Sequence, residues 1–329
     1  MPLSRFSYEV FRYMKSYDMV EENGHVLTGL SGGADSVCLF LCLKEISAVW
    51  PFQLSAMHVA HGIRGEEAEE DARFAKALAE RFQVPFQLCH VDAPRVASEQ
   101  GLSLEEAARN LRYGKLWEEA AKTGARIAVA HHMDDQAETV LFQLIRGSAL
   151  KGLCGMQPVS GELIRPFLFL TREKIEAQLS ACGESYRIDS TNADTAYARN
   201  RLRHTILPEL SRINGGTVTH LARLAEEAGE IEDYLELQTN QAVLGTVRQE
   251  GNAVVLTISA LLSLPELIKD RVLYHAIALC AGEKKDIGKV HVSYLKQLLL
   301  AEGGKRIELP HGVRAKKIAG TVILKKECT

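Results

Sequence analysis

The chain has 329 residues, of which 46% are hydrophobic and 25% are charged, and its formal net charge is -3 at pH 7. This length allows one large domain with one or two smaller ones, and the composition is that of a folded globular protein. The charge excludes a general electrostatic attraction to nucleic acid, so an RNA partner has to be met by local basic patches.

The first predicted elements surround a glycine-rich hexapeptide. Residues 1–24 have the periodicity of an amphipathic helix, with a stop signal at Asn23-Gly24. The apolar run at 26–30 predicts a buried strand, and apolar spacing from residue 37 onward predicts a helix. Between them lies the hexapeptide Ser31-Gly32-Gly33-Ala34-Asp35-Ser36. It therefore occupies a strand-to-helix turn, which is where open α/β sheets bind ligands.

The residue types of this hexapeptide suit phosphate binding. Adjacent glycines permit a sharp turn and close approach of the backbone, and the following helix N-terminus supplies unpaired N–H groups. No Lys follows, which distinguishes the hexapeptide from a G-x-x-x-x-G-K-[ST] loop. A carboxylate beside phosphate requires a divalent cation between them, so Asp35 indicates magnesium. Taken alone, the glycines are explained equally well by a turn that Asp or Ser caps.

The next elements add strands to the same sheet. Residues 53–59, 86–91 and 126–130 have the composition of buried strands, and helices are predicted at 66–82 and 104–123. The second of these helices has a predicted cap at Ser103 and carries Arg109 and Arg112 on one face. Such a face is most often solvated, but at the ligand end of the sheet it can clamp phosphates or RNA backbone. The alternation of strands and helices predicts an α/β fold with a doubly wound, mostly parallel sheet.

The fourth strand leads directly into a second polar cluster, at residues 131–139. Its ionisable members are His131, His132, Asp134, Asp135 and Glu138. Because the layout of strand, polar cluster and helix repeats that of the hexapeptide, both clusters are expected on one edge of the sheet. Helix capping accounts for one carboxylate, and a cationic substrate or a metal accounts for the others.

Beyond the sheet, the sequence predicts a helical connector and a small second module. A polar loop at 188–192 leads to Arg199 and Arg203, which share a helical face suited to phosphate or left to solvent. After Gly215-Gly216, a long helix is predicted at 218–244 and an α+β module follows. The last 27 residues of this module contain seven Lys or Arg and two Glu, a local excess that suits RNA backbone. The predicted domains are a catalytic domain at 1–214, a connector at 215–249 and a small α+β domain at 250–329.

The cysteines and the apolar segments exclude further classes. The seven cysteines are scattered and include no C-x-x-C pair, unlike a zinc ribbon, an iron–sulfur ligand set or a disulfide framework. No apolar stretch reaches the length that spans a bilayer, and the N-terminal segment lacks the apolar core of a signal peptide. We therefore expect a cytoplasmic protein with no membrane partner.

Together these motifs resemble a known superfamily and one of its branches. The hexapeptide resembles the S-G-G-x-D-S signature of the PP-loop ATP pyrophosphatases, which implies an adenine nucleotide alpha hydrolase-like fold. With the segments 58–65, 103–113, 131–147 and 189–203, the first 210 residues resemble tRNA(Ile)-lysidine synthetases, and the last module resembles that family's first C-terminal domain. Two features depart from the pattern: Ala60 stands where many members carry a polar residue, and the chain ends at Thr329 where longer members continue into a further tRNA-binding domain.

The resemblance implies a two-step ligation on the wobble cytidine of tRNA(Ile) with the anticodon CAU. ATP would adenylate the cytosine, and the ε-amine of L-lysine would then displace AMP to form lysidine. ATP and pyrophosphate would contact Ser31, Gly32, Gly33, Ala34, Asp35, Ser36 and His58, with magnesium on Asp35. The substrates would contact His132, Asp135, Glu138, Arg109, Arg112, Arg199 and Arg203. The catalytic residues would be Asp35, Asp135, Glu138 and Arg112. The small C-terminal domain would contact tRNA, and a homodimer is compatible with the sequence.

Three other functions remain open on the sequence alone. A tRNA thiolase of the same superfamily commonly uses C-x-x-C pairs, which this chain lacks. A small-molecule amidating synthetase usually carries a glutaminase domain, which is also missing. A non-catalytic nucleotide-binding or RNA-binding module is the third, and turnover would exclude it.

Overall fold

The computed structural model of the chain describes residues 3–63, 66–187 and 198–327. Two compact units, 1–229 and 230–329, divide the chain. The division falls within a single helix, α11 (Thr217–Thr246). The predicted domain limits at 214 and 249 stay a prediction. Arg64-Gly65 and the polar loop at 188–192, which belong to the sequence motifs, lie outside the described residues.

The first unit is built on a six-stranded sheet. Its strands are β1 (His25–Gly29), β2 (Gln53–Ala60), β3 (Phe86–His90), β4 (Arg126–Ala128), β5 (Val159–Ser160) and β6 (Leu163–Ile164). Their order across the sheet is β3-β2-β1-β4-β6-β5. All neighbours pair in parallel except β5, which is antiparallel to β6. The carboxyl ends of β1, β2 and β4 therefore meet at one edge, as both polar clusters require.

Helices cover both faces of this sheet. They are α1 (Arg5–Ser16), α2 (Ala34–Ser47), α3 (Glu66–Arg81), α4 (Ala93–Gln100), α5 (Leu104–Thr123), α6 (Met133–Ile145), α7 (Leu150–Leu153), α8 (Arg172–Cys182), α9 (Ala198–Arg201) and α10 (Leu207–Ile213), with a π-helical turn at Leu202–Ile206. α1, α2, α3 and α8 share one buried cluster with the sheet. On the other face Leu116 and Ala120 of α5 pack against Leu27 and Ile127. The predicted doubly wound, mostly parallel sheet is confirmed.

Two features of the first unit differ from the predictions. The helix predicted at 1–24 ends at Ser16, because Asp18 and Asn23 adopt positive φ angles of 46° and 62°. Met19 and Val20, which continue the apolar pattern, are buried from a loop instead. The short α4 was not predicted; Asp92 caps it by accepting a hydrogen bond from the Arg95 amide.

The second unit is an antiparallel sheet with helices on it. Its strands β7 (Val247–Glu250), β8 (Ala253–Thr257), β9 (Arg306–Leu309), β10 (Val313–Ile318) and β11 (Thr321–Lys326) follow the order β7-β8-β11-β10-β9. The helices α12 (Ile258–Leu262), α13 (Glu266–Ala281) and α14 (Lys289–Leu300) complete its core. Pro265 separates α12 from α13, because its ring interrupts the chain before the first turn of α13. None of the helices in the described ranges is long and apolar enough to cross a membrane.

Candidate functional site

The glycine-rich turn between β1 and α2 is folded by hydrogen bonds of its own serines. Gly32 has a φ of +92°, which L side chains rarely adopt. Ser36 Oγ donates to the Gly33 carbonyl at 2.9 Å and accepts from the Ser31 amide at 3.2 Å. Among the described residues, no side chain caps the first turn of α2, whose N-cap is Gly33. Its amides thus remain available to an anion at the positive end of the helix.

Asp35, on the first turn of α2, is a half-buried carboxylate whose Oδ1 is buried and unused. Its Oδ1 accepts no hydrogen bond from any described residue. Burial raises the pKa of this carboxyl above its usual value, and the nearby His132 opposes that shift. An acceptor without a donor fits a divalent cation, and Mg²⁺ commonly binds through one or two carboxylates together with substrate phosphates. Among the residues the structure describes, no group of three His, Cys, Asp or Glu side chains forms a metal site, so phosphate and water would have to complete the coordination.

His132 joins the two polar clusters. Its Nε2 lies 3.7 Å from Asp35 Oδ2 and 3.4 Å from Asp135 Oδ2, and its Nδ1 lies 3.5 Å from Asp134 Oδ2 without a well-aligned hydrogen bond. Burial opposes protonation of this ring, but the three carboxylates outweigh it and raise the pKa of His132. Asp134 is occupied structurally, since its Oδ2 accepts the Arg172 amide at 2.9 Å. The predicted capping by one carboxylate is made by Asp135 on its own helix, since Asp135 Oδ2 accepts a hydrogen bond from the His132 amide at 3.0 Å.

Asp135 and Glu138, on the first turns of α6, form a carboxylate pair around Arg203. Arg203 Nη2 donates to Asp135 Oδ1 at 2.6 Å, and its Nε donates to Glu138 Oε1. Glu138 is only 4% exposed, and burial raises its pKa although Arg203 opposes the shift. Arg199 is close enough for its charge to favour the ionised Glu138 as well. The sequence placed these side chains in one site but did not predict that Arg203 would bind the carboxylates.

One cleft of about 370 Å³ at the carboxyl edge of the sheet brings these parts together. Of the predicted site residues, its walls contain Ser31, Gly33, Asp35, Ser36, His58, Arg112 and Asp135. Gly32 and Ala34 belong to the same turn, while His132 and Glu138 are buried beside Asp135. Arg109 lies on the ring of Tyr113, 5.1 Å from its centre, and Arg199 and Arg203 lie around the carboxylate pair.

The two sides of the cleft differ in chemistry. The side formed by the end of β2, which we call the β2 flank, is mostly apolar and contains Met57, Val59, Ala60 and Ile63. His58 on this flank is buried, and its Nδ1 lies 2.8 Å from the Leu30 carbonyl, so Nδ1 is the protonated nitrogen. The opposite side, the β4 flank, contains the apolar Val129 and Ala130 and, beyond them, the polar His131 and Asp135 with Arg112 from α5.

His131 on the β4 flank and Arg165 behind it were not among the predicted site residues. Arg165 is 8% exposed, and its Nε donates to His131 Nδ1 at 3.3 Å. The sequence signal for Arg165 was a single charge within the apolar stretch 163–169. His131 was noted in the polar cluster, but nothing local distinguished its role from that of His132.

Comparison with known proteins places these motifs in a family. Residues 3–210 match the family model of the PP-loop domain. The chain is 34% identical over 324 residues to the tRNA(Ile)-lysidine synthase of Caldanaerobacter subterraneus subsp. tengcongensis, covering 98% of this chain and 69% of that protein. It is 36% identical over 318 residues to the tRNA(Ile)-lysidine synthase of Geobacter sulfurreducens, covering 95% of this chain and 67% of that protein.

A solved structure gives independent support for the fold. The U34-tRNA thiolase NcsA from Methanococcus maripaludis, solved with its [4Fe-4S] cluster, superposes with a TM-score of 0.57 at 18% identity, covering 68% of this chain and 78% of that one. At this identity the likeness concerns the fold alone, and it confirms the expected adenine nucleotide alpha hydrolase-like architecture. The motifs, the PP-loop match and the extent of the relatives agree, and the chain belongs to the tRNA(Ile)-lysidine synthase family of PP-loop ligases.

Proposed function

We propose that this protein uses ATP to join L-lysine to the wobble cytidine of the CAU anticodon of tRNA(Ile), through an adenylated cytidine. Membership of the tRNA(Ile)-lysidine synthase family and the PP-loop domain support the overall activity. The observation that carries the detailed proposal is a cleft whose walls contain both the glycine-rich turn and Asp135, which shares Arg203 with the buried Glu138. Such a cleft suits an anionic nucleotide at one end and a cationic amino acid at the other.

In the first step, cytosine O2 attacks the α-phosphorus of ATP. The bond from this phosphorus to the oxygen that bridges the α- and β-phosphates breaks. Pyrophosphate leaves, and O2 becomes bonded to AMP. The amides of the turn at 31–33 and the first turn of α2 would hold the phosphate oxygens at a helix N-terminus. Asp35 would hold magnesium, which when bound neutralises charge that develops on the phosphates. The apolar β2 flank offers a surface for the adenine ring.

In the second step, the ε-ammonium of lysine first gives one proton to the pair of carboxylates Asp135 and Glu138, and the resulting neutral amine attacks C2 of the adenylated ring. The bond between C2 and O2 breaks, AMP leaves with that oxygen, and the amine nitrogen loses a proton. Without adenylation, the oxygen on C2 is a poor leaving group. Arg112 lines the same cleft and would stabilise the negative charge of the departing AMP.

Asp135 and Glu138 would hold the lysine substrate by its ammonium charge. The guanidinium of Arg203 between these carboxylates supports this assignment, because it marks the pair as a binding place for a cationic side chain. Lysine entry would require Arg203 to release at least one carboxylate. Arg109, Arg199 and the released Arg203 would then be available to tRNA or ATP phosphates. The second unit would contact the tRNA outside the anticodon.

The anticodon loop suits this cleft, since its bases are single-stranded. A wobble base can be turned out of the loop into a pocket without opening a helix. The cleft volume of about 370 Å³ falls at the lower end of the range for small-molecule sites.

The decisive experiment incubates the full chain with ATP, magnesium and radiolabelled L-lysine, with or without a tRNA(Ile) transcript that bears CAU, and counts label in RNA. Label is expected only with this transcript. Asp35→Asn is expected to lower the rate at least about 100-fold, a typical loss when a charge-stabilising group is removed from a transition state. The matched control Asp92→Asn changes a helix-capping carboxylate of α4 and should leave the rate within about twofold.

Two outcomes would contradict the proposal. If no label enters RNA but AMP is released with another acceptor, the ATP chemistry stands and the substrate is that of a thiolase or an amidating synthetase. If Asp35→Asn retains full ATP/pyrophosphate exchange, the magnesium role of Asp35 is wrong.

A further inference from the structure

A buried arginine fixes the tautomer of a histidine that faces the cleft. Arg165 follows β6, and its Nη1 donates to the Gln157 carbonyl at 2.5 Å while its Nε donates to His131 Nδ1 at 3.3 Å. A guanidinium has no acceptor atom, so Nδ1 must accept this hydrogen bond. The single proton of the neutral His131 ring is therefore on Nε2.

The surroundings keep this ring neutral. Burial lowers the pKa of His131 to about 3, and the charges of Arg165, Arg109 and Arg112 act in the same direction against Asp135. At physiological pH, His131 thus presents one N–H donor in a fixed position and carries no charge.

His131 lines the part of the cleft in which the reacting cytosine is expected. In the proposed reaction the cytosine must touch the α-phosphate in the first step and the lysine amine in the second. It must therefore lie between the phosphate-binding turn and the carboxylate pair. His131 lines the cleft on the β4 flank, together with Asp135 and Arg112. Its Nε2 makes no hydrogen bond within the described part of the chain, and so is the donor left for a ligand.

We propose that His131 Nε2–H donates a hydrogen bond to N3 of the cytosine and selects cytidine against uridine at the wobble position. Cytosine N3 has a lone pair that accepts this bond, whereas uracil N3 carries a hydrogen and would oppose the donor. The formation of the bond between O2 and phosphorus does not use the N3 lone pair, so the contact persists in the adenylated intermediate. Arg165 acts through His131 as a positioning residue. This inference rests on the proposed function.

The test is a chemical double-mutant cycle on the full chain. Wild-type protein and His131→Ala are each assayed for lysine incorporation into tRNA(Ile) transcripts with cytidine or 3-deazacytidine, in which C–H replaces N3, at the wobble position. If the histidine and N3 interact, the combined loss in kcat/KM is smaller than the product of the two separate losses by about tenfold, the effect of one hydrogen bond. His131→Phe, which fills the space without a donor, is the second variant in case His131→Ala does not fold.

A second readout is the ratio of rates with cytidine and uridine transcripts. His131→Ala should lower the ratio of the cytidine rate to the uridine rate by about tenfold. The control His61→Ala, which changes a histidine of the same cleft on the β2 flank, should leave this ratio unchanged. Losses that multiply within about twofold would overturn the proposal. The proposal would also be overturned if His131→Ala bound ATP tenfold more weakly in the absence of tRNA and showed no coupling to N3. His131 Nε2–H would then donate to the nucleotide. A wild-type protein that modifies no CAU transcript would instead refute the proposed function.

Discussion

At the scale of single residues, the site is a chain of acidic and basic side chains in alternation. Asp35, His132, Asp135, Arg203 and Glu138 follow one another, and each neighbouring pair has atoms within 4 Å. Buried carboxylates are costly unless cations accompany them, so His132 and Arg203 stabilise the ionised forms of their neighbours. The sequence predicted the acidic members because they follow a strand directly. It did not predict the partners of Arg203, which is 65 residues from Glu138 along the chain.

Glu138→Gln is expected to raise the KM for lysine at least about tenfold, because it removes one of two charges proposed to hold the substrate's ammonium group. The KM for ATP should stay within about twofold. Initial rates of lysine incorporation at varied lysine and ATP concentrations measure both constants. Glu176→Gln, which alters an exposed ion pair on α8, is the matched control. An unchanged lysine KM in Glu138→Gln would remove this residue from the lysine site.

At the scale of elements, local signals were reliable where the structure depends on local chemistry. The cap of α5 was predicted at Ser103, and Ser103 Oγ accepts the Glu106 amide at 3.2 Å. The N-terminal helix was predicted too long because Met19 and Val20 extend its apolar pattern, and tertiary packing rather than periodicity decides their conformation. The two-stranded pair β5 and β6 was too short to carry a period.

Gly32→Ala is expected to weaken ATP binding about tenfold and to destabilise the first unit by about 1 kcal/mol, because a methyl group strains a backbone with a φ of +92°. Gly114→Ala is the matched control: Gly114 lies within α5 at an ordinary helical φ, and an added methyl group would meet no atom within 4 Å. It should stabilise the protein by about 0.5 to 1 kcal/mol. Calorimetric titration with ATP measures the affinity of each variant, and urea denaturation measures its free energy of unfolding. Unchanged ATP affinity in Gly32→Ala would argue against close approach of phosphate to this turn.

Glu45 of α2 holds the N-terminus of α1 by hydrogen bonds from Ser4 and Ser7, including Ser7 Oγ to Oε2 at 2.6 Å. Burial opposes its charge, but these bonds outweigh burial and hold the pKa of Glu45 below its usual 4.5. Because the pKa of Glu45 is lower in the folded state than in the unfolded state, its contact stabilises the fold above pH 4.5. This stabilisation is lost as the pH falls through the folded-state pKa.

Glu45→Gln should therefore lower the free energy of unfolding by about 1 kcal/mol at pH 7, and by less as the pH falls below 4.5. Urea midpoints measured at pH 7 and pH 3.5 give the difference. Glu9→Gln, in an exposed pair with Arg5, controls for loss of a surface charge. An equal loss at both pH values would show that ionisation of Glu45 has no part in the contact.

At the scale of the whole molecule, four of the seven basic residues among the last 27 form two groups. Lys317 donates to the Leu299 and Ala301 carbonyls at 2.7 and 2.6 Å, and Lys326 donates to the Ala281 carbonyl at 2.7 Å. These lysines close the ends of α14 and α13 and are structural. Lys316 and Lys325 are exposed on the sheet. Composition counts both groups alike, so only the structure separates them.

The double variant Lys316→Gln with Lys325→Gln is expected to weaken tRNA binding and to reduce the slope of log affinity against log salt by about 1.5, if both contact phosphates as proposed for the second unit. Lys317→Gln with Lys326→Gln should instead lower the melting temperature and leave the slope unchanged. Filter binding at several salt concentrations and thermal melts distinguish these. The reverse pattern would exclude this sheet as a tRNA contact.

The π-helical turn at Leu202–Ile206 contains one more residue than an α-helical turn, and Arg203 lies within it. Deleting Leu202, which precedes Arg203 in this turn, would rotate Arg203 by about 100° about the helix axis and away from the carboxylates, according to the period of 3.6 residues per turn. Helix α10 beyond it would rotate by the same angle and shift by one residue's rise, about 1.5 Å. The engagement of Arg203 with Asp135 and Glu138 is thus encoded by a residue count as much as by residue identity. A variant with this deletion would show what the position of Arg203 contributes to the site, separately from the charge of its side chain.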